Sequence, residues 1–596
     1  MNQLKLIVRD QNGTLTPFRA DWHLTASGNA PFHERVHQVW NDTGTAEIDV
    51  PAGRISFRIQ RGFLYDAVEL DVQVPSGGAL TREIVLNRRL DAKSLGWYGG
   101  ESHLHVLHGK NDPPRTIADG GRMAAADGLD FLQLGYAWDA SFAWLPAEEL
   151  NRQCREASSA WSRIGWNIET PKCYFSEDDG GKSGRNLHCF GHGWTVGLKD
   201  NSRGERFFST GPNFRIMQEV QRQGGIVGCA HPVRSWFTHK GTFVSNWASE
   251  LPFDFVAGVP FAAVDILNDS PLLFFQSERL WYTLLNLGYK VAGTGNSDGA
   301  LGDVPWGLGR FRTYVKIDGG FSWEKLAQGI QVGRCIASSG PFVLFTVDEQ
   351  PPGAEFPADG KPRRASVRAW SAPNPGEKLV AVQLVRNGEV VRAWDLRAEN
   401  ARYWETAFEL REGQFAWYCV RVLSTCGNPL SQELWGPQVN ELAVANPVYF
   451  LPRSTGVPPV DRSTGVPPVD MGKMPMLQGF QRPSPAAARV CLNITDADTG
   501  QPLNATVEIH DGAGVLKSEK CPASGGVLTM PATASLRISA SGYETQERNL
   551  FMDCPELYEY SMNIGTVWPS FYSPETFHEL RKRLGNLKVS VVLKKI

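Results

Sequence analysis

The feature that most constrains this chain is a change of rhythm near Gly96. From there to about Pro341, short apolar runs alternate with helix-like segments. Strand candidates fall at 128–134, 224–230, 255–259, 264–267 and 289–293, and helical patterns at 214–223 and 278–287. A parallel strand pair needs a long crossover, usually a helix, and the helices then cover the sheet. Sustained strand–helix alternation therefore predicts a parallel α/β barrel for this segment.

The flanks have a different rhythm. Alternating runs at 4–9, 46–50 and 54–59 are punctuated by Asp10-Gln11-Asn12-Gly13 and Pro51-Ala52-Gly53, which predicts a small β-sandwich over 1–92. After the barrel segment, 93–342, the β pattern returns over 343–450. There 380–385 runs into Arg386-Asn387-Gly388-Glu389, a hairpin with an Asn-Gly turn. Residues 451–487 contain Arg453-Ser454-Thr455-Gly456-Val457-Pro458-Pro459-Val460-Asp461, repeated at once as 462–470, which reads as an extended linker. Residues 488–596 form another β-rich module. Ser573-Pro574-Glu575 opens a helix over 574–584 that buries Phe577, Leu580 and Leu584 and stops at Gly585, before a last strand at 587–593. The expected fold class is multidomain α/β plus all-β.

Composition narrows the partners. The formal net charge is −3, from 60 basic and 63 acidic residues, which gives no electrostatic reason to expect nucleic acid or an anionic membrane. The ten cysteines show no CxxC and no regular spacing, so neither a disulfide framework nor a zinc knuckle is expected. The first residues already read as a strand rather than a leader, and no run is apolar enough to span a bilayer. A cytoplasmic location with free thiols is expected, or a secreted one if the true start lies upstream.

Chemistry concentrates in the α/β segment. Seven of the twelve histidines lie between His103 and His239. Gly99-Gly100-Glu101-Ser102-His103-Leu104-His105 places two histidines at the spacing that puts both on one side of a strand, which is half a metal site. Glu169, His188, His192, His231 and Asp298 each follow or adjoin an apolar run, where barrel strands end and barrel active sites are built. Singly, each has an ordinary structural explanation; Asp298, for instance, could close an Asx turn. Together they supply the imidazole and carboxylate donors that suit zinc, manganese or iron.

Gly100-Glu101-Ser102-His103-Leu104-His105 resembles the opening motif of the PHP (polymerase and histidinol phosphatase) superfamily, and within it that of the CehA/McbA-like metallohydrolases. Gly128-Leu129-Asp130-Phe131 resembles the second strand, Gly191-His192 and Ala230-His231-Pro232 the central histidine motifs, Gly295-Asn296-Ser297-Asp298 the last metal motif, and 334–341 the closing segment. The resemblance covers about residues 95–345. It implies a distorted (β/α)7 barrel with two divalent cations. His103, His105, Glu169 and Asp298 would hold one; Glu169, His192 and His231 would hold the other. His188 competes with His192, but Gly191-His192 fits the motif better.

The departures matter. Glu101 stands where the family usually has Asp. The second strand leads to Gly135-Tyr136-Ala137-Trp138-Asp139 without the usual carboxylate–histidine pair, and the last motif ends Asp298-Gly299-Ala300 instead of Asp-x-His. Both missing histidines belong to the third metal of trinuclear members, so at most two metals are expected, with His108 or Asp139 as compensating candidates.

The reaction this implies is metal-assisted hydrolysis of a phosphoester or a carboxylic ester, amide or carbamate in a small molecule. Asp298 would ligate and deprotonate the nucleophile, His231 or His192 would assist the leaving group, and Arg234 would bind an anionic substrate group. Asp265 and Asn268 could orient histidines from behind. The loop 177–184 lacks the opening glycine and the strand–helix setting of a nucleotide loop, and reads as a cover over the site. Trp194, Trp236, Trp247 and Trp306 divide between core and substrate platform. Two other readings are an inert barrel in a carbohydrate- or surface-binding protein, and a scaffold that keeps one metal for stability.

Overall fold

The computed structural model describes residues 2–25, 31–107, 115–135, 144–169, 192–209, 212–232, 235–237, 243–245, 251–268, 274–302, 307–435, 439–452, 486–511, 514–550 and 574–596. These fall into two compact units: residues 1–167 with 265–481, and residues 168–264 with 482–596.

The first unit begins with a two-sheet sandwich. Strand Asn2–Asp10 lies between Thr45–Val50, antiparallel, and Ala79–Leu86, parallel. Strands His37–Asn41, Phe18–Leu24, Gly53–Gln60 and Val68–Val74 form the other sheet. Alternation does the work here: Leu4, Leu6 and Val8 meet Ile55, Phe57 and Ile59 in one buried cluster, while the residues between them face the other way.

The same unit holds a long mixed sheet. Its strands run in the order Arg163–Asn167, Phe131–Gly135, Trp97–His105, Arg312–Lys316, Cys335–Ser338, Asn440–Leu451, Ala416–Thr425, Leu379–Arg386 and Glu389–Asp395. The first three are parallel to one another, and the crossovers between them carry helices Ile117–Ala126 and Ala147–Ala157. The first of these helices starts in a capping box: Thr116 accepts from the Asp119 amide while the Asp119 carboxylate accepts from the Thr116 amide. This ladder does not return on itself among the described residues, as a closed barrel requires. Cys335–Ser338 instead pairs antiparallel with Asn440–Leu451, Ile336 opposite Ala445, so the sheet of the α/β segment continues into the following β region. Trp97, Tyr314 and Ile336 accordingly share a core with Phe345, Val420 and Phe450. The hairpin at Asn387-Gly388 forms, with both residues at positive φ (50° and 93°) as a type I′ turn demands.

In the second unit, Gly193–Val196 is antiparallel to Ile226–Cys229, whose end runs parallel to the start of Ala263–Leu267. Helix Asn213–Arg222 leads into Ile226–Cys229 and buries Phe214, Ile216, Met217 and Val220. The strand expected at 255–259 is instead the end of a helix, Leu251–Ala257. All seven of its residues are buried, so no polar face marks the helical period, and a short apolar run reads equally well as a strand. Gly258, at φ 85°, ends it. The C-terminal strands include Ala487–Asp496, antiparallel to Gly526–Pro531 and parallel to Leu587–Leu593. Helix Pro574–Leu584 buries Phe577, Leu580 and Leu584, as its spacing predicts. No helix among the described residues is long and apolar enough to cross a membrane.

Candidate metal centre

Strand Trp97–His105 is buried on both faces from Gly99 onward, so its two histidines are fully enclosed. Their rings lie 5.3 Å apart, centroid to centroid. The turn that follows Ala292–Gly295 brings Asp298 against them. One carboxylate oxygen, Oδ1, lies 3.1 Å from His103 Nε2 and 3.3 Å from His105 Nε2.

Backbone contacts strap this turn to the strand. The Asp298 amide donates to the His103 carbonyl (3.1 Å), the His105 amide to Gly299 (2.8 Å) and the Leu301 amide to His105 (3.0 Å). The Ser102 amide donates to Asn296 Oδ1 at 2.7 Å. Asp298 itself sits at φ 51°, a conformation that costs an L-residue energy and persists only where surrounding contacts impose it.

Glu101 supports the same turn. Its Oε1 accepts from the Ser297 hydroxyl and, at 2.8 Å, from the Gly309 amide. Burial pushes its carboxyl up to about 8, against the opposing pull of those hydrogen bonds and of Arg312. Asp265, fully buried, accepts from Thr294 Oγ1 (2.8 Å) and Asn296 Nδ2 (2.6 Å), and its other oxygen lies 3.8 Å from His103 Nδ1. Gly135 sits close behind the ring: a Cβ there would stand 3.0 Å from His105 Nδ1.

The second unit holds a similar group. Glu169 follows the strand Arg163–Asn167 by two residues, His192 immediately precedes Gly193–Val196, and His231 comes just after Ile226–Cys229. The Ala230 amide donates to the His192 carbonyl at 2.9 Å, which sets the two histidine-bearing strand ends side by side. Glu169 Oε1 lies 2.6 Å from His192 Nδ1 and 3.3 Å from His231 Nε2, and all three residues are buried. His231, like Asp298, has positive φ, 27°.

Each group thus presents one carboxylate oxygen to two imidazole nitrogens. The ligand atoms of His103, His105 and Asp298 lie within 4.8 Å of one another, as do those of Glu169, His192 and His231. Two neutral imidazoles and a carboxylate are a donor set for a borderline divalent cation, so the residues present fit one.

The other expected residues fall variously. Asn268 is buried, with its Nδ2 3.5 Å from Asp265 Oδ2. Arg234, His188, His108, Asp139 and the loop 177–184 lie outside the described residues, as do the side chain of Trp236 and residues Trp247 and Trp306. Trp194 is wholly buried and packs where a Cβ on Gly228 would collide with it, so it is core. Sequence reasoning missed the Glu101–Ser297–Gly309 contacts and the close approach of Gly135 to His105. Ser297, inside the Gly295-Asn296-Ser297-Asp298 run, is the one residue whose position hinted at the former.

No protein-family model matches the chain, and no curated protein matches it. Among solved structures it is similar to a two-domain protein from Bacteroides vulgatus containing a predicted PHP-like metal-dependent phosphoesterase. The identity is 14%, over 55% of this chain and 90% of that one, with a TM-score of 0.30. It is also similar to BcpA, the major pilin subunit of Bacillus cereus (6% identity, 100% and 99% of the chains, TM-score 0.21). A third likeness is to a glycosyl hydrolase family 2 member from Bacteroides cellulosilyticus (10% identity, 89% and 73%, TM-score 0.17). At these TM-scores none of the three defines a fold or an activity for this chain.

Proposed function

We propose that this chain is a metal-dependent hydrolase of small molecules, of the CehA/McbA-like branch of the PHP superfamily. The observation that carries the reading is the repeated group of two buried imidazoles facing one carboxylate oxygen. A fold with no use for a cation has little reason to bury this arrangement twice, since each buried carboxylate costs several kcal/mol to desolvate, on the order of the whole stability margin.

In this reading His103, His105 and Asp298 hold one divalent cation, His192 and His231 the other, and Glu169 is shared. Zinc, manganese and iron all suit these donors. Bound cations of this kind lower the pKa of water toward neutrality and polarise a phosphoryl or acyl oxygen. The chain's residues do the rest. Asp298 would take a proton from the nucleophile as well as ligate. Asp265, with an oxygen 3.8 Å from Nδ1, would orient the His103 ring from behind. Arg234 would bind an anionic group on the substrate. Enclosure of the histidines by the buried strand excludes bulk water and strengthens each charge interaction. The bond cleaved is a phosphoester or a carboxylic ester, amide or carbamate.

The test is elemental analysis of the full chain purified without chelator, followed by aryl phosphate, ester and carbamate substrates. About two equivalents of metal with activity on one class is the expected result. A chain that binds no zinc, manganese or iron when these are supplied would overturn the reading and leave a binding role for the β regions.

A further inference from the structure

The N-terminal sandwich turns one face of a sheet toward a cavity of about 70 Å³. Arg19 and Asp21 stand on the strand Phe18–Leu24. Trp40 lies opposite Arg19, Gln60 opposite it on the other side, and Arg58 opposite Asp21. These are the positions between the core residues Ala20, Phe57 and Ile59, so strand alternation puts all of them on the polar face. Arg310 and Arg312 line the cavity from across.

Most of the charges there are matched. Arg19 contacts Asp21 and Asp127, each at 3.2 Å, and Arg312 lies 3.7 Å from Asp127. Gln60 donates to Asp21 at 2.8 Å. Arg58 is different. Asp21 and Glu69 are its direct neighbours across the sheet, yet among the described residues no carboxylate comes within ion-pair distance of it and it makes no hydrogen bond. Its Nε is buried without a partner, and so is the indole nitrogen of Trp40 on the same cavity wall.

Two buried donors lacking an acceptor around one cavity define what it takes. Water can accept from Trp40 and from the buried Nε of the half-buried Arg58, but it cannot neutralise the guanidinium charge. The volume is several times the roughly 10–15 Å³ that one water requires. A second cavity, about 370 Å³, also touches Arg58, but Asp21, Glu69 and Asp71 line it and would repel an anion.

We propose that the cavity bounded by Arg58, Trp40, Arg19 and Arg310 binds a small oxyanion, the phosphate or carboxylate group of a solute, with the Arg58 guanidinium and the Trp40 indole N–H as its donors. Burial also drives the Arg58 guanidinium down from its ordinary pKa, a penalty that a bound anion reverses. Glu441, on the same wall, is pushed the other way, toward its neutral form, and already accepts from the Cys426 thiol at 3.1 Å.

The site does not depend on the metal reading, and the test separates them. The full chain is stripped with chelator, so that phosphate has no metal to bind, and titrated calorimetrically with inorganic phosphate and, separately, acetate. Saturable binding of phosphate assigns a phosphate group; binding of acetate assigns a carboxylate. Arg58→Met is expected to weaken whichever binds by about tenfold or more, because hydrogen bonds to a charged partner are the strong ones. Trp40→Phe, which keeps the ring and deletes the donor, is expected to weaken it less, and decides the matter if Arg58→Met does not fold. No saturable binding of either ion, or unchanged affinity in both variants, overturns the proposal.

Discussion

The two histidine–carboxylate groups look alike at the level of distances and differ in how the chain makes them. In the first unit, two ligands come from one strand and the third from a turn sewn to that strand by four hydrogen bonds from main-chain amides. In the second, three ligands come from three separate stretches: the Ala230 amide to the His192 carbonyl extends the antiparallel pairing of Gly193–Val196 with Ile226–Cys229, and the Ile168 amide, next to Glu169, donates to Thr195 Oγ1 at 3.3 Å. In the first, main-chain contacts of the ligand residues themselves, His103, His105 and Asp298, fix the set. The second depends on strand ends being delivered to the same place by the fold. A preorganised set of ligands loses less entropy on binding, so the first group should hold its cation more tightly.

The largest effects should come from the carboxylates. Glu169→Ala is expected to abolish activity and remove both cations, whereas Asp298→Ala abolishes activity but removes about one of the two, as elemental analysis would show. Equal losses in the two variants would break the distinction between a shared ligand and a private one. Next is Asp265→Asn. It keeps the hydrogen bonds from Thr294 and Asn296 largely in place but removes the charge beside His103. A drop of about 10–100-fold in the affinity of one cation and not the other is expected from competition with a chelator.

Gly135→Ala tests rigidity. The added methyl meets His105 Nδ1 at 3.0 Å, so the ring must shift, at a cost of about 1–3 kcal/mol in stability by denaturant titration. The first group should weaken while the second keeps its metal. Glu101→Gln should have the smallest effect on the cations and is read through the pH dependence of stability instead. Burial raises the Glu101 pKa from 4.5 in the unfolded chain to about 8. The unfolded chain therefore releases this proton first, and wild-type stability falls as pH rises from about 4.5 to about 8. The neutral amide lacks that term. Its stability relative to wild type should rise across this window in metal-free protein, and a flat difference would show that Glu101 ionises normally.

Much of this contrast was readable in advance because it is local. His103-Leu104-His105 needs only the two-residue repeat of a strand, and the helix at 574–584 announces itself through Pro574, its apolar spacing and Gly585. The motifs around His192, His231 and Asp298 were legible as residues; His231 and Asp298 follow their strands as expected, whereas His192 precedes Gly193–Val196, a strand antiparallel to its neighbour. What was not legible depends on sequence-distant pairing. Nothing in Cys335-Ile336-Ala337-Ser338 says that it will take Asn440–Leu451 as a neighbour and carry the sheet onward. The helix Leu251–Ala257 carries no amphipathic signature because it has no exposed side. The Arg58 cavity was equally hidden. Arginine alternating with apolar residues on a strand reads as a solvated face, and only the opposite wall, built from residues 307–312 and Glu441, turns it into an enclosure.

The positive φ values at His231 and Asp298 have an evolutionary consequence. At each position glycine would relax the backbone at no steric penalty, so protein stability alone favours losing the side chain. Random change pushes these two sites away from a ligand continuously, and a lineage that no longer used the centre would be expected to shed histidine and aspartate there early.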